Sequence, residues 1–164
     1  MKSKLIIFFT CGFIALILDL ITKSLIFNLL DQRGASIILI EGFLYFTKAL
    51  NPGVAFGMLQ NAQFYLTLFI PIILIGLPIY IWKAKDLTKV HILLFGFIFG
   101  GALGNYYDRI FNDGKVRDFI DVKLFNYDYP IFNIADAFIS CSVVVMLILS
   151  FFEDLKQKKK DESQ

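Results

Sequence analysis

Four apolar runs alternate with polar segments along the chain, each run long enough to cross a bilayer. A spanning helix needs ~20 mostly apolar residues. The first run covers 5–30 and carries Asp19 and Lys23 inside it; the second, 64–82, and the third, 90–107, are uncharged; the fourth, 131–152, has Asp136 near its start. Pro71 and Pro78 lie in the second run and predict a kink rather than a break, because prolines are tolerated in membrane helices. Segment 153–164 is a charged tail. Between the first two runs, segment 35–47 places β-branched and aromatic residues on either side of Gly42. That pattern predicts two short strands of a small sheet at the membrane surface. The expected architecture is therefore a single integral-membrane domain over 1–164, all-α in its four spans.

Composition supports lipid as the solvent. The chain has 164 residues, 57% of them hydrophobic, with a mean hydropathy of +0.68. A chain this short cannot hide so much apolar surface in one globular core. The net charge of +2 gives no reason to expect nucleic-acid binding. The start Met1-Lys2-Ser3-Lys4 resembles the head of a signal peptide, but the apolar run lacks a small-x-small cleavage site and continues past Asp19. It reads as a retained first span. Basic residues then set the orientation. Nine of them (Lys2, Lys4, Lys83, Lys85, Lys89 and four in the tail) lie on the side of the termini, against six in 31–63 and 108–130. Both termini are expected to be cytoplasmic, with those two segments outside.

Several chemistries lack material. His91 is the only histidine, at the polar end of a span, and Cys11 and Cys141 lie within apolar runs. Neither a Ser-His nor a Cys-His nucleophile is available, and no metal-ligand spacing or cofactor motif is present.

Carboxylates inside spans are expensive and mark functional sites. At a rise of ~1.5 Å per residue, Asp108 lies ~27 Å from the cytoplasmic end of the third span, Asp136 ~26 Å from that of the fourth, and Asp19 ~21 Å up the first. All three approach the outer boundary of a hydrocarbon layer ~30 Å thick. Asp118 and Asp121 join them from the adjoining loop. Asp19 and Lys23 fall at i and i+4, where an ion pair lowers the burial cost; the bland reading makes these two, and Asp108 with Arg109, helix-end ion pairs and caps. Asn105, Asp108 and Arg109 share a helix face, as do Asn133 and Asp136. Asp118 and Asp136 have no basic partner at helical spacing. Two carboxylates in one site suggest aspartic-protease chemistry, because like charges at close range keep one acid protonated. A proton-coupled transporter is the competing reading, yet the inner halves of the spans hold no relay. A small assembly subunit would explain the spans but not the second acidic pair.

Five segments carry a family resemblance, in order along nearly the whole chain. Asp19-Leu20-Ile21-Thr22-Lys23 is similar to D-x-x-[ST]-K, Asn51-Pro52-Gly53-Val54-Ala55-Phe56-Gly57 to N-x-G-x-A-[FW]-G, and 101–109 to G-A-x-G-N-x-x-D-R. Val116-Arg117-Asp118-Phe119-Ile120-Asp121 is similar to V-x-D-F-[IL]-D, and Phe132-Asn133-Ile134-Ala135-Asp136 to F-N-x-A-D. The chain thus resembles the lipoprotein signal peptidases (signal peptidase II), aspartyl endopeptidases of the bacterial cytoplasmic membrane.

The resemblance implies a catalytic pair of Asp118 and Asp136 near the outer face. It implies Asn51, Gly53, Asn105, Arg109 and Asn133 as substrate-binding or supporting residues, and Asp19, Lys23 and Asp108 as structural support. It also implies lipid-modified prolipoproteins as substrates, cut just before the diacylglyceryl-cysteine, without metal or cofactor, by a monomer that globomycin-type inhibitors block. The implied fold adds an outer β-cradle and a short surface helix, for which Asn61–Phe64 and the residues before it are candidates. Arg117 stands where the family commonly has an apolar residue, and Pro52 stiffens the loop after Asn51.

Overall fold

A computed structural model of the chain describes residues 2–53, 62–124 and 127–162. Its order is α1 (Lys2–Leu29), β1 (Ser36–Ile40), β2 (Leu44–Asn51), α2 (Ala62–Lys83), α3 (Lys89–Phe111), β3 (Val116–Leu124), β4 (Tyr127–Asp128) and α4 (Ile134–Asp161). Helices α1, α3 and α4 are long and apolar enough to cross a membrane; in α2 the apolar stretch Thr67–Lys83 is shorter. Helix α2 runs unbroken through Pro71 and Pro78.

The helices are inside out relative to a soluble bundle. Ile6, Phe13, Ile21, Leu25 and Leu29 of α1 are exposed. Its buried positions are Phe8, Gly12, Ala15, Asp19, Lys23 and Ile26, one stripe at helical spacing that carries two charges near its far end. Apolar side chains gain nothing by avoiding lipid, so the interior is left to close backbone packing and to polar groups that need partners.

Gly96, Gly100 and Gly104 recur every fourth residue on α3 and let it press against α1. A Cβ on Gly100 would collide with the carbonyl oxygen of Gly12 and lie 2.9 Å from the Ala15 Cβ. On Gly101 it would lie 2.7 Å from the Ala135 carbonyl oxygen of α4. Gly100→Ala is accordingly expected to destabilise the bundle by about 1–3 kcal/mol. Thermal unfolding in detergent would read this as a lowered Tm, and an unchanged Tm would contradict the packing argument.

The sheet is antiparallel in the order β1-β2-β3-β4, with β4 a two-residue addition at the edge. The expected strands in 35–47 are present, joined at Gly42, whose φ of +74° suits a residue without Cβ. Phe119 at the inner face of β3 packs with Ile26 and Leu30 at the end of α1. Lys48 ties β2 to the same helix end by donating to the carbonyls of Phe27 (2.8 Å) and Leu30 (2.6 Å), the carbonyls a helix C-terminus leaves unpaired. At the opposite end, Phe8, Ile81 and Ile92 form a cluster between α1, α2 and α3.

Two boundaries differ from the hydropathy reading. The fourth helix begins at Ile134 rather than 131, because Asn133 caps it, and it continues through the charged tail to Asp161. The third continues past Tyr107 to Phe111, since its last turn carries the polar residues of the site. The proposed surface helix before α2 falls largely on 54–61, outside the described residues; Ala62–Phe64 belong to α2.

Candidate active site

Strand β3 creates the site by joining elements distant in sequence. On one side it pairs with β2, setting Ala49 opposite Asp118 and Asn51 opposite Val116. The Asn51 side-chain amide there donates to Asp118 Oδ2 at 2.8 Å. Gly53 donates its backbone N–H to Asn51 Oδ1 at 3.0 Å and fixes which way that carboxamide faces. On the other side β3 meets the lead-in to α4: the N–H groups of Phe119 and Ile120 donate to the Phe132 carbonyl, and Phe132 donates back to Ile120. The next residue, Asn133, thereby reaches Asp118 Oδ1 with its side-chain amide at 2.6 Å.

Asn133 also holds Asp136. It is the N-cap of α4, accepting from the Asp136 N–H at 3.0 Å while its own N–H donates to Asp136 Oδ2 at 3.3 Å. This reciprocal capping box means that the spacing of Asn133 and Asp136 reports a helix start, not a shared helix face. The other oxygen of Asp136 accepts from the Asn105 side-chain amide at 2.7 Å. Asn105 Oδ1 in turn accepts from Asn133 (3.1 Å) and from Lys23 (2.9 Å). Three carboxamides therefore hold the two acids.

Below them lies a buried ion cluster. Lys23 Nζ, fully buried, is 2.6 Å from Asp19 Oδ2 and 3.1 Å from Asp108 Oδ2. Asp19 also accepts from the backbone N–H of Ala135 at 3.0 Å, fastening α1 to the first turn of α4. Gly104 makes room: a Cβ there would strike the Asp19 carboxylate. The expected pairing of Asp108 with Arg109 is not what forms. Asp108 instead takes Arg117, through its backbone N–H (2.9 Å), Nε (2.9 Å) and a guanidinium ion pair (2.7 Å). Alternation along a strand sends Arg117 and Asp118 to opposite faces, so Arg117 grips the end of α3 while Asp118 faces the site. Residues 116–124 form a strand, and reading 108–130 only as an outside loop overlooks this contact.

Arg109 donates to the Asn105 carbonyl at 3.1 Å. Its Nε is buried without a hydrogen-bond partner among the described residues, and the charges that reach it are those of Asp136, Asp118 and Asp108. Asp121 is turned away, accepting from Thr47 Oγ1 at 2.8 Å.

The electrostatics single out Asp118. It is 1% exposed, and its carboxyl is pushed up to about 7, first by burial and then by the charge of Asp136, against the opposing hydrogen bonds from Asn51 and Asn133. Among the described residues neither Asp118 nor Asp136 makes an ion pair, and no group of three or more His, Cys, Asp or Glu is placed to hold a metal ion. Asp136 is only half-buried and opens onto a cavity of about 450 Å³ walled otherwise mainly by apolar side chains of β3, α4 and the segment before α4. Such a pair can share one proton and act as general base and general acid on one substrate.

Comparison with known proteins points the same way. The family model for signal peptidase (SPase) II matches residues 11–152. The lipoprotein signal peptidase of Anoxybacillus flavithermus is 39% identical over 93% of this chain and 89% of its own length. That of Halalkalibacterium halodurans is 34% identical over 96% and 99%. Among solved structures, a bacterial membrane enzyme determined by the in meso method at 2.3 Å superposes with a TM-score of 0.78 at 32% identity, covering 96% of this chain and 92% of that one. A second, determined by the same method at 1.9 Å, gives 0.75 at the same identity.

Proposed function

This chain belongs to the signal peptidase II family, the peptidases that remove signal peptides from prolipoproteins, and from that premise we propose that Asp118 and Asp136 are its catalytic dyad. The observation that carries this is Asn133, which donates from its side chain to Asp118 and from its backbone to Asp136. One rigid residue sets both acids. In the singly protonated dyad, the ionised aspartate takes a proton from water as the oxygen attacks the scissile carbonyl. The protonated aspartate polarises that carbonyl and then gives its proton to the departing amine. Arg109, near both acids, and the carboxamides of Asn51, Asn105 and Asn133 orient substrate and dyad. Asp19, Lys23 and Asp108 form the support beneath.

The chain is one domain of four spans in the bacterial cytoplasmic membrane, active as a monomer, with α2 as the fourth span, both termini inside and the sheet outside. Lys4 supports this orientation by donating to the carbonyls of Ala84 (3.1 Å) and Lys85 (3.2 Å), which puts the N-terminus beside the α2–α3 turn. A dyad at the outer boundary suits a bond held there by a diacylglyceryl anchor, just before the modified cysteine. Globomycin-type inhibitors would occupy the same position.

The test is cleavage of a diacylglyceryl-modified prolipoprotein by the purified protein in detergent, followed against pH. The singly ionised dyad persists only up to its upper macroscopic pKa, whichever acid holds the proton. With Asp118 at about 7, kcat/KM is expected to fall on an alkaline limb near that value. Equal turnover of precursor lacking the lipid would overturn the anchoring role, and a flat profile through this region would overturn the shared proton.

A further inference from the structure

Two apolar hollows meet on α4 directly below Asp136. The upper one, about 450 Å³, opens at Asp136 and is closed by Leu124 and Phe132 on the sheet side. The lower one, about 430 Å³, runs between α3 and α4 from Ile134 down to Val145, with Leu94 and Phe97 as its far wall. They share Ala137 and Cys141 as common wall. The result is a furrow headed by one carboxylate and descending along α4 towards the membrane interior. From Asp136 to Val145 it spans roughly 13 Å of helix rise.

We propose that this furrow seats one acyl chain of the diacylglyceryl-cysteine during cleavage; the inference rests on the peptidase reading above. Connectivity favours it. The modified cysteine follows the scissile bond, so its thioether and glyceryl ester begin beside the dyad, and an attached chain has to leave the site into apolar surroundings. Length fits the other apolar part of the substrate less well. A signal-peptide helix 10–12 Å across and ~30 Å long is more than twice the length of the furrow. Direction agrees as well, since the furrow points from the outer boundary into the membrane, the course an outer-leaflet acyl chain takes.

Transfer energy is not what the furrow supplies, because lipid tails are as apolar as its walls. It supplies register: a seated chain limits where the glyceryl group, and with it the scissile carbonyl, can lie against the two acids. Its influence therefore belongs in turnover of correctly lipidated substrate and should depend on chain length.

Two filling variants far from the acids test this. Val145→Phe closes the deep end and Cys141→Leu narrows the middle; the original side chains are both exposed, so each variant leaves the buried bundle intact. Precursors with two sixteen-carbon chains and with two eight-carbon chains are compared at equal detergent. The expected result is a drop of about tenfold in kcat/KM for the long-chain precursor, with the short-chain precursor within about twofold of wild type. Loss in equal proportion on both precursors, or on neither, would overturn the proposal and leave the furrow to bulk lipid. Failure of the wild type on both would refute the peptidase reading instead. An unchanged Tm, with short-chain turnover retained, excludes misfolding as the cause.

Discussion

Asp118→Asn and Asp136→Asn are each expected to reduce cleavage by at least about 10²–10⁴-fold while leaving the protein folded. Asparagine keeps the size and one accepting oxygen, so part of the contact with Asn51 and Asn133 survives at position 118. What it loses is the ability to accept and return a proton. Because the acids act as one unit, the double variant should be little worse than either single one. Stability gives an independent readout. The folded pKa of Asp118, about 7, lies above its unfolded value near 3.8. The folded state thus holds its proton more tightly, and stability is lost as pH rises between those values. Asp118→Asn removes that loss. Its Tm should match wild type near pH 4 and exceed it near pH 8, by the equivalent of up to about 4 kcal/mol. Asp121→Asn is the control, since Asp121 is near in sequence, only partly buried and bonded to Thr47. Asp108→Asn is no control, because Asp108 is fully buried between Lys23 and Arg117. Near-native cleavage by Asp118→Asn, with Asp121→Asn inactive but folded, would reassign the loop acid.

The second large effect concerns Lys23. Lys23→Met, similar in length and uncharged, is expected to cost about 3–5 kcal/mol of stability. Its removal leaves Asp19 with the Ala135 N–H as its remaining partner and Asp108 dependent on Arg117 and Asn112. The cluster of Asp19, Asp108, Lys23 and Arg117 is neutral as a whole; without Lys23 it carries an uncompensated negative charge on carboxylates that are fully buried. A further Asp19→Asn should therefore recover a substantial part of the loss, so that the double variant is more stable than Lys23→Met alone. Expression yield and Tm in detergent measure both steps. A Lys23→Met protein with wild-type Tm, or no recovery in the double variant, would mean that the cluster does not hold the helices together. Asp19→Ala tests the same contact from the other side and should also lower yield, through the unpaired lysine.

The sequence by itself determined which solvent surrounds the helices and which residues share one end of them. Runs of apolar residues can be counted against a fixed membrane thickness, and 1.5 Å per residue converts position into depth without knowledge of packing. For the same reason the Asp19–Lys23 pair, one helical turn apart, was legible, as was the hairpin around Gly42. Five short motifs, in order along the chain, supplied the family.

Only the tertiary structure decided who touches whom across elements. The contact of Asn133 with Asp118 depends on β3 pairing with the strand-like lead-in to α4, and no local period announces that pairing. Arg117 rather than Arg109 holds Asp108, because a strand turns neighbouring residues to opposite sides whereas the third helix brings Arg109 within reach of the charges of Asp118 and Asp136. The glycines at 96, 100 and 104 mark a close approach, yet that it is α1 they meet, and that Gly104 leaves space for the Asp19 carboxylate, follows from helix docking. Spacing is written along one chain, whereas a site of three amides, two acids and a buried ion cluster is assembled from five segments, and the energies that choose their partners are those of groups distant in sequence.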